Sequence, residues 1–164
     1  MAISARWLFL LVFFVCVAML GYGLYLQEAK NLLPCPLCVV QRIAYWLVGL
    51  TALIAFLHNP GVLGRRAYAA AMGIWAFAGA MVALRHVWLL RHPNSFTCGV
   101  SPEERFLNAL PFAKWWPSMF EANGDCALIK WRFLNLTIPD WSLIVLLLLT
   151  AVAVYLGFMA RRSS

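Results

Sequence analysis

Charge is what this 164-residue chain has least of. Only 12% of its residues are charged and 64% are hydrophobic, whereas a soluble domain is about a quarter charged and half apolar. That excludes a water-soluble surface over most of the chain. Acid is scarcer still. The six acidic residues are Glu28, Glu103, Glu104, Glu121, Asp125 and Asp140, confined to segments 27–36 and 85–140. The other three polar stretches carry Arg6, Arg65, Arg66, Arg161 and Arg162 with no acid at all. No Lys/Arg stripe with interleaved aromatics lies on a soluble surface, so the net charge of +7 does not mark a nucleic-acid binder. Internal repeats and low-complexity tracts are missing too, and a single domain over 1–164 is expected.

What the chain does have is long apolar runs. Segments at about 7–26, 37–57, 67–84 and 141–159 are long enough, or nearly so, to cross roughly 30 Å of hydrocarbon as helices. The first is too long for a signal peptide and lacks a small-x-small cleavage site, so it is read as a retained transmembrane helix. The Lys/Arg bias puts both termini (1–6 and 160–164) and the 58–66 loop in the cytoplasm, which agrees with an even number of crossings. Segments 27–36 and 85–140 then lie outside. The expected fold is an all-α integral membrane protein, an up-down bundle of four transmembrane helices with one long outer loop.

That loop is too long for a simple connection. His92-Pro93-Asn94-Ser95 and Asn123-Gly124-Asp125 read as turns, and Ser101 as the N-cap of a helix beginning Pro102-Glu103-Glu104. Its aromatic residues (Phe106, Phe112, Trp115, Trp116, Phe120, Trp131, Phe133 and Trp141) are too many for a freely solvated loop. The expectation is that 110–134 skims the outer membrane surface as a short helix. The competing reading is a small loop core.

The cysteines carry the chemistry. Cys35 and Cys38 stand at the mouth of the second apolar run, one helical turn apart, close enough to form a disulfide. Pro36 suits the first position of a helix. The partial positive charge of a helix N-terminus favours negative charge on sulfur, so the pair is placed for redox work. Cys98 and Cys126, with 27 residues between them, share the outer loop. Spacing alone does not establish them as a pair. Two disulfide-capable pairs on one face suggest a relay by thiol–disulfide exchange.

Three other readings compete. Loop stapling fits poorly, because a C-x-x-C on a first helical turn encloses too short a loop to restrain the unfolded chain. A four-cysteine zinc site usually needs two short-spaced pairs. Covalent haem attachment needs His after the second cysteine, and position 39 is Val. No metal is therefore expected. Cys16, in the middle of the first run, reads as a small buried hydrophobe.

Arg42, four residues after Cys38, shares its helix face and lies inside the membrane boundary, where an ionisable group is a functional candidate. It is suited to hold Cys38 as a thiolate and to polarise a carbonyl of an electron acceptor. An arginine snorkelling to the headgroups is the alternative. His86 ends the third run on the same outer side, either as a donor to a quinone-like acceptor or as an ordinary interfacial residue. Gln41 is less telling.

The pattern Cys35-Pro36-Leu37-Cys38-x-x-x-Arg42, with Arg85-His86, Pro93-Asn94-Ser95-Phe96-Thr97-Cys98, Gly124-Asp125-Cys126 and Pro139-Asp140-Trp141, closely resembles the DsbB family of bacterial inner-membrane disulfide bond formation proteins. The resemblance spans nearly the whole chain. It implies a multi-pass inner-membrane protein with both termini cytoplasmic and its redox cysteines periplasmic. It also implies that a periplasmic thioredoxin-fold oxidase, DsbA-like, is reoxidised through Cys98 and Cys126. Electrons would then pass to Cys35 and Cys38 and on to ubiquinone or menaquinone from the membrane pool. By the same resemblance Arg42 and His86 are the quinone-contacting residues. Two departures stand out. The family's best-known member has Glu where this chain has Gln41, and Gln where it has Leu90, so the headgroup environment differs.

Overall fold

The computed structural model describes residues 5–30, 35–92, 109, 115, 117–120 and 132–162. Three long helices come first: α1 (Ala5–Lys30), α2 (Pro36–His58) and α3 (Val62–Arg91). A one-turn helix, α4 (Pro117–Phe120), and a two-stranded ladder, β1 (Arg132–Phe133) with β2 (Leu136–Thr137), precede the final helix α5 (Ile138–Arg162). The four long helices are each long and apolar enough to cross a membrane.

They outrun the apolar windows, α3 most of all. It starts at Val62 rather than near 67 and continues to Arg91 rather than 84. Arg65, Arg66, Arg85 and Arg91 interrupt hydropathy, but arginine is a good helix former and does not interrupt the backbone. The α2–α3 connection is accordingly only Asn59–Gly61, with Asn59 in the left-handed region at φ 43°. In the hairpin, antiparallel pairs Arg132↔Thr137 and Phe133↔Leu136 flank Leu134 and Asn135, both at positive φ. Thr137 then opens α5. Its N–H and hydroxyl both donate to Asp140 Oδ2, at 2.9 and 2.6 Å, the half of a capping box in which a first-turn side chain reaches back to the residue before the helix.

Each long helix packs mainly on its chain neighbours, most extensively α3 on α5, while α1 and α5 barely meet. In lipid, no hydrophobic force drives helices together, so close packing of small side chains must do it. The buried faces show this. Ala44, Gly49, Ala52 and Ala55 line α2, and Ala69, Ala76, Gly79, Ala80 and Ala83 line α3. A Cβ at Gly79 would lie 2.7 Å from that of Ala44, and one at Gly49 would lie 3.1 Å from that of Cys16. Cys16 is fully buried there, as a small hydrophobe should be. Large apolar side chains such as Phe14, Leu57, Phe77 and Leu148 point outward, the reverse of a soluble core. One polar link joins α2 to α5: the buried Tyr45 hydroxyl lies 3.2 Å from the Ser142 carbonyl oxygen and 3.3 Å from its Oγ.

Of the expected surface-skimming stretch, the described part is small. Met119 on α4 is buried in the bundle core, with Phe120 packed beside it. Ser101 and the Asn123-Gly124-Asp125 turn lie outside the described residues.

Candidate functional site

The first turn of α2 and the last two turns of α3 meet at one end of the bundle. Cys35 is the N-cap of α2, in extended backbone at φ −82° and ψ 162°, with Pro36 in the first helical turn. Its sulfur accepts the Cys38 N–H at 3.4 Å, the role that a Ser or Asp oxygen plays at most helix starts. The two sulfurs lie 3.2 Å apart and are not joined as a disulfide. One helical turn separates them, so the cap geometry itself brings the pair together.

His86 enters from α3. Its Nε2 is 3.7 Å from Cys35 Sγ and its Nδ1 is 3.9 Å from Cys38 Sγ. Gln41, one turn into α2, points its amide Nε2 at His86 Nδ1 across 3.3 Å. An amide N–H donating there puts the ring proton on Nε2, facing Cys35. Cys35, Gln41 and His86 are only 3%, 5% and 4% exposed, and Cys38 is half-buried. Such burial of three polar groups requires that they satisfy one another.

Arg42, one turn after Cys38, directs its hydrogen bonds to neighbouring helices. Its Nη2 donates to Gln27 Oε1 at 3.0 Å and its Nη1 to the Met119 carbonyl at 3.3 Å. One guanidinium therefore ties α1, α2 and α4 together. Val39, fully buried, heads a small apolar cluster with Val40, Ile43 and Phe120 beside the pair.

Cys35, Cys38, Arg42 and His86 thus all fall at this end of the bundle, the cysteines and His86 in direct proximity. Cys98 and Cys126 lie outside the described residues. Two participants carry no signal in the sequence and a third carries one of little weight. Gln41 stands out there only as less telling than Arg42 and as a departure from the family pattern, although an uncharged polar residue in an apolar helix beside an arginine is itself a signal. Gln27 and the Met119 carbonyl, 15 and 77 positions from Arg42, left no local mark. Leu90 lines a different feature, a cleft of about 390 Å³ formed with Val87, Arg91, Asn135, Leu136, Thr137 and Asp140.

Four apolar helices with a buried dithiol–histidine cluster at the head of one of them define a multi-pass membrane protein with two cysteines and a histidine gathered at one end. Comparison with known proteins narrows that class. Residues 5–156 match the family model described as "Disulfide bond formation protein DsbB". "Disulfide bond formation protein B" of Nitrosospira multiformis is 59% identical over 150 residues, covering 92% of this chain and 89% of the relative. Its namesake from Nitrosomonas europaea is 57% identical over 148 residues, 90% of each. That of Aromatoleum aromaticum is 47% identical over 163 residues, covering 98% and 95%. The chain belongs to the DsbB family and is a membrane-embedded disulfide oxidoreductase by class.

Proposed function

We propose that this protein reoxidises a periplasmic DsbA-like dithiol oxidase and passes the electrons, through two cysteine pairs, to a membrane quinone. The observation that carries the reading is the convergence of Cys35, Cys38, His86 and Gln41 at the head of an apolar helix. A soluble dithiol must deliver electrons to an acceptor dissolved in lipid, so one disulfide must meet water and another the bilayer boundary.

The steps balance by thiol–disulfide exchange. A thiolate of the partner attacks Cys98 of the Cys98–Cys126 disulfide, forming a mixed disulfide and freeing Cys126. Cys126 attacks Cys35 of the Cys35–Cys38 disulfide, freeing Cys38 as a thiolate. The partner's second thiol resolves its mixed disulfide, leaving the partner oxidised. Cys98, then free, resolves the Cys126–Cys35 bond, leaving Cys35 and Cys38 as the reduced pair.

The donor set fits a quinone headgroup, which carries two carbonyl acceptors on an apolar ring. His86, the Gln41 amide and Arg42 bring N–H donors to one end of the bundle, and Val39, Val40 and Ile43 provide an apolar flank. A bound quinone supplies the two-electron, two-proton sink. His86 and Arg42 orient it, the positive charge of Arg42 favours a thiolate at Cys38, and Gln41 fixes the ring of His86 with its Nε2 proton toward Cys35. Here Gln41 is a positioning residue, because it acts through the histidine.

The test is quinone reduction followed optically in purified protein, with a reduced thioredoxin-fold oxidase as donor. Turnover that is lost in both Cys38→Ser and Cys98→Ser supports the relay. Wild-type turnover in either variant refutes the role given to that cysteine.

A further inference from the structure

The two sulfurs and the imidazole that make a redox centre also make a metal-ligand set. One ligand atom from each of Cys35, Cys38 and His86 lies within 4.8 Å of the others. A tetrahedral ion with bonds of about 2.3 Å to sulfur and about 2.0 Å to nitrogen spaces its ligands roughly 3.8 Å (S···S) and 3.6 Å (S···N) apart. The structure has 3.2 Å between the sulfurs and 3.7 Å from Cys35 Sγ to His86 Nε2. Cys35 Sγ and Nε2 are already at ligand spacing, the sulfurs need to part by roughly half an ångström, and Cys38, whose near ring atom is Nδ1 at 3.9 Å, needs a small turn of the imidazole to share Nε2 with Cys35.

We propose that the reduced Cys35–Cys38 dithiol, together with His86, is an inhibitory binding site for a thiophilic d¹⁰ cation, Zn²⁺ being the physiological case. The ion displaces one proton from each thiol, no electron moves, and M²⁺ with two thiolates is neutral overall. A neutral centre suits the poorly solvating membrane boundary, where an unpaired charge is costly. Gln41 completes the set in the way outer partners of metal-bound histidines do, since its amide meets the ring nitrogen that the metal leaves unused. A half-turn of that amide lets it donate or accept. Half-buried Cys38 provides the way in.

The site exists only in the dithiol state, because a disulfide offers no thiolate. Metal and electron acceptor therefore compete for one redox form, and a bound ion holds the pair reduced by mass action. The ion is an antagonist and no part of the relay. Metal binding is independent of the quinone reading; only the inhibition rests on it.

Cd²⁺ serves as the probe, on the Cys98→Ser/Cys126→Ser protein in detergent so that loop thiols do not bind. Cys16 is buried against Gly49, far along α2 from the pair. The expected result is one Cd²⁺ per reduced chain, with a sulfur-to-cadmium absorption band of two-thiolate intensity that vanishes on oxidation. ¹⁵N-histidine labelling should show coupling to bound ¹¹³Cd in the unmutated site, and His86→Gln should weaken binding at least tenfold. No saturable band, equal binding by the oxidised form, or missing nitrogen coupling with unchanged His86→Gln affinity would each overturn the site. In the four-cysteine protein, Zn²⁺ should slow quinone reduction; saturating Zn²⁺ without inhibition would overturn the inhibitory half of the proposal and leave the metal site standing.

Discussion

Replacing Gly79 with alanine tests whether helix packing sets the geometry of the dithiol centre. The new Cβ would stand 2.7 Å from Ala44 Cβ and 3.2–3.3 Å from the Leu146 methyls. Leu146 can rotate away, but Ala44 cannot. Carbon atoms rest comfortably at about 3.5–4.0 Å, so α2 and α3 must part locally by roughly 1 Å. Overpacking of this kind costs about 1–3 kcal/mol. His86 lies two turns, about 10 Å, further along the same stiff helix. Moving it by that amount takes the 3.3 Å Gln41 contact beyond hydrogen-bond reach and loosens both ring–sulfur contacts. A misplacement of ~1 Å at a reacting centre can cost ~100-fold in rate.

Gly79→Ala should therefore lose about 1–3 kcal/mol in reversible denaturation in mixed micelles and between roughly tenfold and a hundredfold in quinone turnover. Ala44→Gly in the same chain restores the missing space. It should recover most of both losses, less about 1 kcal/mol for a glycine inside a helix. A Gly79→Ala protein with unchanged stability and turnover would refute the reasoning, as would losses that Ala44→Gly leaves untouched.

Other substitutions separate the roles of neighbouring groups. Gln41→Leu removes the partner of His86 Nδ1; hydrogen bonds between membrane helices average about 0.6 and reach about 1.7 kcal/mol, so quinone kcat/KM should fall roughly 3- to 20-fold with mixed-disulfide formation unchanged, and unaltered kcat/KM would remove Gln41 from the account. Arg42→Ala should raise the quinone KM and leave thiol exchange intact. Arg42→Lys should recover only part of that loss, since a point charge cannot bridge Gln27 and the Met119 carbonyl together; equal KM values for wild type and Arg42→Ala would contradict this. Asp140→Ala removes the acceptor of both Thr137 bonds at the start of α5 and should cost about 1 kcal/mol of stability without altering quinone KM. The Arg91 contact at 3.6 Å adds little to that figure, because Arg91 is largely exposed.

Much of the bundle was legible because lipid imposes a simple requirement, about twenty apolar residues per crossing. The limits of α3 were not, since arginines end an apolar window without ending a helix. Cys35, Pro36 and Cys38 announced their site because cap, turn and disulfide reach are all local. His86 is ambiguous in the sequence for the opposite reason. It stands 51 positions from Cys35, and the close packing of α2 on α3, Gly79 against Ala44 included, brings the ring to both sulfurs. The spacing of Arg42 points it toward the thiols, yet its hydrogen bonds run to Gln27 and Met119, which no periodicity in α2 reveals.

The most direct test of the central claim isolates the Cys35–Cys38 pair. Cys98→Ser/Cys126→Ser protein is reduced, freed of reductant and mixed anaerobically with quinone, while quinone absorbance and protein mass are followed. The account predicts one quinone reduced per chain, with loss of two hydrogens as Cys35 and Cys38 join, and no reaction when Cys38→Ser is added. A reduced pair that stays reduced beside excess quinone, in folded protein, would contradict it.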